Sequence, residues 1–332
     1  MSKDYLAKVV KDFEGVSTGV NTKMDLWVDT GSLALNKAIS GSYQKGLPFG
    51  RVVDVFGDPS TGKSLLIYHI LANVQKMGGV AILDDSEDAY IKEFGEAIGI
   101  NNDELILLSS LTVEEHFEKV FLGWKNSKGK KKQSLVDLIV ENEPECPIVV
   151  ALDSVALLST RHEQEVKFEK PDMIKAKQIR AGMRMVTSHL QSHNILHLIS
   201  NHLIAKIGIL FGKPKTTPGG SGIPFQASVR IELSLGKKIK DKDNEEKKIG
   251  IKANVYIAKN KISAPFKETT IDIYFDRGVD CYSGIQDLMV SDGVLVAEEG
   301  NKFIYTPPDG KKEVIRGFKF NEWVQAHTDL LV

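Results

Sequence analysis

The chain has 332 residues, 42% of them hydrophobic and 26% charged, with a formal net charge of −1. Such a composition supports a sizeable core, arranged as one large domain with appendages or as two domains. No run approaches the ~18 consecutive apolar residues of a membrane span, and the first residues, MSKDYLAKVVKDFEG, include acids where a secretory signal would be apolar. We therefore expect a cytoplasmic protein without membrane contacts, in which any polyanion must be held locally because the whole molecule does not attract it.

Residues 1–25 predict an amphipathic arm. Apolar residues recur at spacings of three and four, which places them on one helix face, and the helical pattern stops at Gly15. The apolar residues of the arm are Tyr5, Leu6, Val9, Val10 and Phe13. The arm has little core of its own, so it can pack either on its own domain or on another subunit.

Strand-like runs alternate with helical patterns along residues 26–277. The predicted strands are 51–56, 80–83, 105–107, 148–152 and 194–200, and the predicted helices are 63–77, 90–98, 113–124 and 173–191. This alternation predicts an α/β fold with a mostly parallel sheet covered on both faces. Three later runs without helices between them, at 227–235, 250–259 and 269–275, predict antiparallel strands that extend the sheet.

Residues 278–332 predict a small α+β domain at the C-terminal end. It comprises a helix near 282–290, a hairpin around TPPDGKK and a last helix containing Trp323.

Two other features, a lysine-rich segment and the two cysteines, have simple interpretations. The lysine-rich segment 125–132, KNSKGKKK, is a solvated loop or an auxiliary contact for a polyanion. Cys146 and Cys281 are far apart and lack a metal-ligand spacing, so both are predicted to be reduced packing residues.

A phosphate-binding loop is the strongest motif. Residues 57–64, GDPSTGKS, match G-x-x-x-x-G-K-[ST], follow the strand VVDVF and open a predicted helix. The predicted nucleotide contacts are Gly57, Asp58, Pro59, Ser60, Thr61, Gly62, Lys63, Ser64 and the adjacent Leu65. Backbone N–H groups surround the phosphates of ATP, Lys63 neutralises their charge, and Ser64 is a ligand for Mg²⁺.

Acidic residues follow two of the predicted strands. Asp153 ends the run IVVALD, and we expect it to hold Mg²⁺ directly or through water, with a capping or turn role as the alternative. Glu87 follows the strand VAIL, where open α/β sheets place their ligands, and is the candidate that orients or deprotonates the attacking water. Asp84, Asp85 and Asp88 crowd the same turn, so the sequence leaves the choice among these acids open.

The segment 201–222, NHLIAKIGILFGKPKTTPGGSG, is unusual for a connection between two buried strands. It is too apolar for an ordinary surface loop and too interrupted by Gly and Pro for a helix, and it carries three lysines and no acid. Connections of this length without secondary structure are usually functional or disordered.

Several long motifs occur in an order that resembles the RecA recombinases. They are GSLAL, KGLPFGRVVDVFG, GDPSTGKS, ALDSVALL, KIGILFGKPKTTPGG, FQASVR and KNKISAPFK, and the resemblance runs from about Thr30 to Leu331. It implies a RecA-type P-loop ATPase core, an N-terminal oligomerisation helix and a small C-terminal domain. The implied partners are single-stranded DNA, homologous duplex DNA and further copies of the chain in a helical filament, with single-strand-binding and mediator proteins as further candidates.

The resemblance places the segment 201–222 at the second DNA-binding loop of the family. The DNA contacts it implies there are Lys206, Ile207, Gly208, Thr216, Thr217, Gly219 and Gly220, with Ile207 wedged between bases. An apolar loop packed on its own domain or on a neighbouring subunit is the alternative.

Near the first DNA loop, Met173 matches a methionine of the family, and Lys177, Arg180 and Arg184 share one face of the helix that follows. Arg184 is the preferred phosphate contact, against a solvated helix face.

Other matches concern communication between subunits. Lys259 and Lys261 match cations that the family directs toward ATP bound by the adjacent subunit, and Phe225 matches an aromatic that relays nucleotide state. His202 stands where bacterial RecA has a γ-phosphate-sensing glutamine. It can donate a hydrogen bond and make ATP coupling pH-sensitive, or it can be structural. Phe94 replaces a tyrosine that stacks on adenine.

Some departures separate the chain from bacterial RecA: Pro224 and Ile204 replace basic residues, and a segment is inserted before ECPIVVALD. They indicate a divergent, phage-like recombinase. The function implied is that of a DNA-dependent ATPase that catalyses strand exchange in recombination and repair. The alternatives are a RecA-fold ring helicase, for which Arg230 is the nearest candidate arginine finger, and a recombination mediator that binds ATP and DNA without turnover.

Overall fold

The computed structural model describes residues 26–126, 128–166, 174–205 and 215–331. The predicted arm 1–25 lies outside these ranges. So do four of the predicted DNA contacts, Met173, Lys206, Ile207 and Gly208.

Within the described ranges, nine strands form one central sheet. In chain order they are β1 (Val52–Gly57), β2 (Val80–Asp85), β3 (Leu105–Leu108), β4 (Ile148–Asp153), β5 (Ile195–His202), β6 (Val229–Lys240), β7 (Lys248–Asn260), β8 (Glu268–Tyr274) and β9 (Gly278–Val279). Their order across the sheet is β9-β8-β7-β6-β1-β5-β4-β2-β3. The six strands from β6 to β3 pair in parallel, and β7, β8 and β9 extend the sheet with antiparallel pairing.

The helices lie between and around these strands. They are α1 (Leu33–Ser40), α2 (Lys63–Lys76), α3 (Lys92–Ile98), α4 (Val113–Phe117), α5 (Leu135–Asn142), α6 (Arg161–Val166), α7 (Ile174–Ser192), α8 (Gly222–Gln226), α9 (Ile285–Ser291) and α10 (Phe320–Ala326). A π-helical turn, Glu118–Leu122, continues α4, and the 3₁₀ turns Gly317–Lys319 and Thr328–Leu331 flank α10. Among the helices of the described ranges, none is both long and apolar enough to cross a membrane.

The central strands are buried on both faces, as the predicted mostly parallel sheet requires. In β4 every residue is buried. Val149 and Ala151 belong to the cluster beneath α2, whereas Ile148, Val150 and Leu152 belong to the cluster beneath α7. Because successive strand residues point to opposite faces, the uninterrupted apolar run of β4 supplies two cores at once. The predicted α/β class is confirmed.

One strand predicted to be antiparallel is antiparallel on only one of its two sides. The run 227–235 was expected to be antiparallel, but β6 pairs in parallel with β1 on one side and antiparallel only with β7 on the other. The physical reason is the long connection that leaves β5, which returns through the short helix α8 before β6 begins. A chain that returns to the starting end of the sheet in this way must run parallel to the strand it left.

The lysine-rich segment forms a small hairpin. The strand Trp124–Lys125 pairs with Lys131–Lys132, and the Asn126 side chain accepts backbone hydrogen bonds from Lys128 and Lys130. Helix α5 follows it and was not predicted. The sequence signal for this helix is Ser134 at its N-cap position. In the structure the Ser134 hydroxyl accepts the Asp137 N–H group, and Val136 is buried.

The C-terminal region forms a second, smaller core. The strands Leu295–Glu298, Lys302–Tyr305 and Glu313–Arg316 make an antiparallel sheet that packs with α9 and α10. Ala34 and Tyr43, from the N-terminal part of the described chain, contribute to the same cluster. The boundary at residue 278 stays a prediction.

Both cysteines are free thiols. Burial raises the pKa of Cys281 to about 11 and also raises the pKa of Cys146. Across the described part of the chain, no group of three or more His, Cys, Asp or Glu side chains is arranged to hold a metal ion.

His69 joins α2 to the edge of the sheet. The Val279 N–H group donates to Nε2 of His69 at 2.8 Å, so this nitrogen must be unprotonated. Burial, helped by the charge of Lys76 and opposed by Asp29, lowers the pKa of His69 to about 4. In the unfolded chain His69 would titrate near its ordinary value, so the stability it contributes is complete above about pH 6.5 and is lost as the pH falls toward 4.

We predict that His69→Gln flattens the pH dependence of stability. Glutamine keeps an acceptor for the Val279 N–H group but does not titrate. Between about pH 7.5 and pH 5 the wild type should lose on the order of 1 to 2 kcal/mol of its free energy of unfolding through His69, and the variant should not show this loss. Urea unfolding of both proteins at the two pH values measures this loss. Equal losses in the two proteins would contradict the assignment.

Candidate active site

The phosphate loop joins β1 to α2, and two of its glycines are required by close contacts. A Cβ atom on Gly57 would lie 2.1 Å from the Leu233 carbonyl oxygen of β6. Gly62 has φ +93°, and a Cβ atom there would lie 2.2 Å from Cδ1 of Ile273. The loop can therefore follow this path only without side chains at these two positions, and it leads into α2, whose first N–H groups have no acceptor within the helix.

Lys63 is buried at the start of α2, with only 6% of its surface exposed. Its Nζ atom donates to the carbonyl oxygens of Gly57, at 3.2 Å, and Asp58, at 2.9 Å. Burial lowers the pKa of Lys63, and the nearby carboxylates, Asp153 first among them, oppose this effect. The ammonium group is thus held by the loop itself, in a position where an anion would be a stronger partner.

Asp153 occupies the carboxyl end of β4. Its carboxylate contacts the Ser200 hydroxyl of β5 and is hydrogen-bonded by the Ser64 hydroxyl. Burial raises the pKa of Asp153, and these hydrogen bonds only partly oppose it. A buried carboxylate beside a serine hydroxyl is a set of hard oxygen ligands that suits Mg²⁺.

Glu87 lies at the carboxyl end of β2, facing the same space. Its Oε1 atom accepts a hydrogen bond of 2.7 Å from the Ser154 hydroxyl and one of 2.9 Å from Nε2 of His202. Burial acts to raise the pKa of Glu87, but these two hydrogen bonds, together with the charges of His202 and Lys63, outweigh it and the net effect is a lowered pKa. Glu87 is therefore an ionised, positioned acceptor.

The other acids of this turn have different partners. Asp84 is buried and accepts hydrogen bonds from Ser110, with Nδ1 of His116 at 2.7 Å. Asp85 accepts the N–H groups of residues 87, 89 and 90 and so shapes the turn. Asp88 is exposed. Of the four acids, Glu87 is the one that lines the cavity at the phosphate loop.

The sheet explains why these groups meet. Gly57 and His202 are opposite each other in the β1–β5 pairing, and Asp85 is opposite Asp153 in the β2–β4 pairing. In a parallel sheet the carboxyl ends of neighbouring strands share one edge, which is where ligands bind. Lys63, Glu87, Asp153 and His202 surround one cavity of about 410 Å³.

Two apolar residues complete this cavity, and the sequence analysis did not identify them. Ile251 and the half-exposed Phe275 lie along its wall. Phe94, predicted to stack on adenine, is partly buried and packs against the main core. It is not among the described residues that line the cavity. Phe275 could be found only from the fold, because it follows β8, which reaches the phosphate loop from the antiparallel side of the sheet.

The basic pair at the end of β7, Lys259 and Lys261, lies elsewhere. Nζ of Lys259 donates at 2.8 Å to the carbonyl oxygens of both Pro224 and Phe225, at the end of α8. Within the described part of the chain, neither Lys259 nor Lys261 lines the cavity at the phosphate loop. Phe225 is 74% exposed.

Arg230, the candidate arginine finger of the helicase alternative, is held within its own subunit. Its Nε atom donates to the fully buried Asp54 at 2.7 Å, and its guanidinium lies 4.2 Å from the centre of the Phe56 ring. A guanidinium fixed in this way stabilises a buried carboxylate.

The described ends of the predicted second DNA loop form a stem against α7. Ile204–Ala205 pairs with Lys215–Thr216, and Thr217 is buried. Gly219 and Gly220 have φ of +88° and +68° and pack closely on Ile179 and Ala176 of α7.

Helix α7 carries the basic residues expected near DNA. Lys177 and Arg184 are exposed, and Arg180 donates a hydrogen bond of 2.7 Å to the Ser221 hydroxyl. The stem of the loop and the basic helix are therefore neighbours.

Comparison with known proteins agrees with this geometry. The family model described as the RecA N-terminal domain matches residues 8–280. Protein RecA of Lactococcus lactis subsp. cremoris strain MG1363 is 31% identical over 91% of this chain and 74% of its own length. For Protein RecA of Cereibacter sphaeroides strain ATCC 17023 the identity is 34% over 83% of this chain and 74% of the relative, and for that of Mycobacterium ulcerans it is 32% over 84% and 73%. The chain belongs to the RecA family.

Proposed function

We propose that this protein is a DNA-dependent ATPase and homologous recombinase that forms filaments on single-stranded DNA and pairs it with homologous duplex. The observation that carries the proposal is the convergence of Lys63, Asp153, Glu87 and His202 on one cavity at the phosphate loop of a RecA-family chain. Recombination on DNA implies action in the cytoplasm, where the substrate is present.

The residues around the cavity have complementary roles toward ATP. The loop N–H groups and Lys63 bind the phosphates, and Ser64 and Asp153 would hold Mg²⁺, which supplies charge neutralisation of the phosphates when bound. Glu87 is ionised and can accept a proton from an attacking water. His202 donates its Nε2–H to Glu87 in this structure and can donate it to a phosphate oxygen instead.

The position of Lys259 supports a site shared between subunits. Its ammonium caps the carbonyl end of α8, and a helix C-terminus attracts cations only modestly. A triphosphate on an adjacent protomer is a stronger partner. We infer that Lys259 and Lys261 complete the neighbour's ATP site and that exposed Phe225 packs at the same interface, with the arm 1–25 docking on the adjacent protomer.

Repetition of such a head-to-tail contact without closure produces a filament. DNA would then lie along the stem of the second loop and the basic face of α7, where Lys177 and Arg184 contact phosphates. Base pairing, rather than side chains, would read the sequence.

A recombinase explains the structure better than the two alternatives. Arg230 is occupied by Asp54, which removes the candidate arginine finger of a ring helicase. Glu87 is ionised and positioned, which a mediator without turnover does not require. ATP hydrolysis with and without single-stranded DNA tests the proposal. Stimulation by DNA supports it, an unstimulated rate favours the mediator, and unwinding of a forked duplex favours the helicase.

We predict that Lys63→Ala abolishes ATP hydrolysis. The substitution removes the buried ammonium at the phosphates, and the rate should fall at least ~100-fold. Lys76→Ala, at the exposed end of the same helix, is the matched control and should keep the wild-type rate. Comparable rates for Lys63→Ala and the control would contradict the assignment.

The shared site predicts complementation between two inactive variants. Lys259→Ala alone should lose at least ~100-fold of the DNA-stimulated rate while the subunit stays folded. Mixing it with Lys63→Ala should restore activity, because a Lys259→Ala protomer keeps its own phosphate loop and receives Lys259 from its neighbour. Steady-state hydrolysis and circular dichroism measure both effects. Full activity of Lys259→Ala alone would exclude a role for this cation.

The His202–Glu87 contact predicts a shift in pH dependence. Because the hydrogen bond from His202 lowers the pKa of Glu87, His202→Ala should raise that pKa, so activity is lost at a higher pH on the acid side. The profile of kcat/KM against pH reports this group in the free enzyme. His202→Gln keeps a donor and should lie closer to the wild type. Coincident acid limbs for the wild type and His202→Ala would rule out the coupling.

A further inference from the structure

The segment 201–222 touches the nucleotide site at two points among its described residues. The first is His202, already described. The second is Lys215, whose Nζ atom lies 2.7 Å from both carboxylate oxygens of Asp58, the second residue of the phosphate loop. The two residues are 157 positions apart in the chain, so the fold alone brings the two loops together.

Asp58 also contacts the residues that bind phosphate. Its backbone carbonyl accepts hydrogen bonds from Nζ of Lys63 at 2.9 Å and from the Thr61 hydroxyl at 2.9 Å. The side chain of Asp58 thus holds Lys215 while its backbone holds Lys63. If Lys63 turns toward a bound phosphate, the backbone carbonyl of Asp58 loses its hydrogen bond from Lys63. Because the carboxylate that holds Lys215 belongs to the same residue, this change at Asp58 also affects the contact with Lys215.

The backbone of Lys215 is also held in place, by the stem of the loop. Its backbone pairs with Ala205, three residues after His202, in the two-stranded stem. Movement of the Lys215 side chain is therefore passed to the stem, and movement of the stem is passed to Asp58. The pair is about half exposed, with 48% of the Lys215 side chain and 45% of that of Asp58 accessible. Exposed ion pairs are weak and are readily broken by a competing charge.

We propose that Lys215 is a positioning residue that couples ATP binding to DNA binding through its ion pair with Asp58. Without nucleotide, the pair holds the stem against the phosphate loop. When nucleotide draws Lys63 away from Asp58, the pair is released and the stem becomes free to engage DNA. Coupling of this kind is reciprocal, so DNA that draws Lys215 away also favours the nucleotide-bound loop. The inference rests on the proposed function, since it assumes that both ligands bind.

Three variants test the coupling. They are Lys215→Gln, Asp58→Asn and the charge exchange D58K/K215D. The measured quantity is the ratio of the dissociation constants for a fluorescent single-stranded oligonucleotide without and with a non-hydrolysable ATP analogue. Each single variant should reduce this ratio at least threefold, and the charge exchange should recover part of it. Lys252→Gln is the matched control, because it removes another ion pair, the partly exposed one with Asp272 at 3.0 Å, and should keep the wild-type ratio.

A simple phosphate contact by Lys215 gives a different pattern and would overturn the inference. Lys215→Gln would then weaken DNA binding equally with and without nucleotide and reduce the salt slope by about one unit, while Asp58→Asn would leave the ratio unchanged. A wild-type ratio retained by both single variants would also overturn it. Failure of the proposed function is distinct, because in that case the wild-type protein itself would show no nucleotide-dependent DNA binding.

Discussion

The site depends on charged groups that are buried close together and whose burial is only partly compensated by the hydrogen bonds and charges around them. Lys63 is almost completely buried, and burial lowers its pKa, while the same cause raises the pKa of Asp153. Both shifts have the sign expected where a charged form lacks sufficient compensation. A triphosphate would give Lys63 a stronger anionic partner, and a divalent cation would give Asp153 a partner of opposite charge. Bound together, the two ligands would stabilise an arrangement that is costly in their absence.

The parallel half of the sheet brings the residues of the phosphate site together, and the antiparallel half carries Lys259. The strands β1, β2, β4 and β5 end side by side, so residues from four distant parts of the sequence meet at one edge. On the other side of the phosphate loop, β7 carries Lys259 to the end of α8 and the exposed Phe225. The phosphate site and Lys259, whose ammonium is hydrogen-bonded to the carbonyl end of α8, therefore lie at different places on the chain.

Much of the fold and of the site could be predicted because the relevant signals are local. GDPSTGKS between a strand and a helix specifies its own geometry, and apolar runs such as IVVALD specify buried strands. The parallel pairing of β6 could not be read from its own residues, because the path of the preceding connection decides it. The sequence left the choice among the four acids at the end of β2 open, and only the structure shows that Asp84 and Asp85 are engaged elsewhere. Phe275 and the Asp58–Lys215 pair were missed for a related reason: each joins segments far apart in the sequence, and neither belongs to a motif.

If ATP is hydrolysed at a site that only adjacent protomers complete, turnover must depend on assembly. The specific ATPase rate per protomer, measured against protein concentration with single-stranded DNA in excess, tests this most directly. With a shared site, we expect a rate that is low for dilute protomers and rises steeply as they become neighbours on the strand. A rate per protomer that is constant and high down to concentrations at which the protein is monomeric would contradict it.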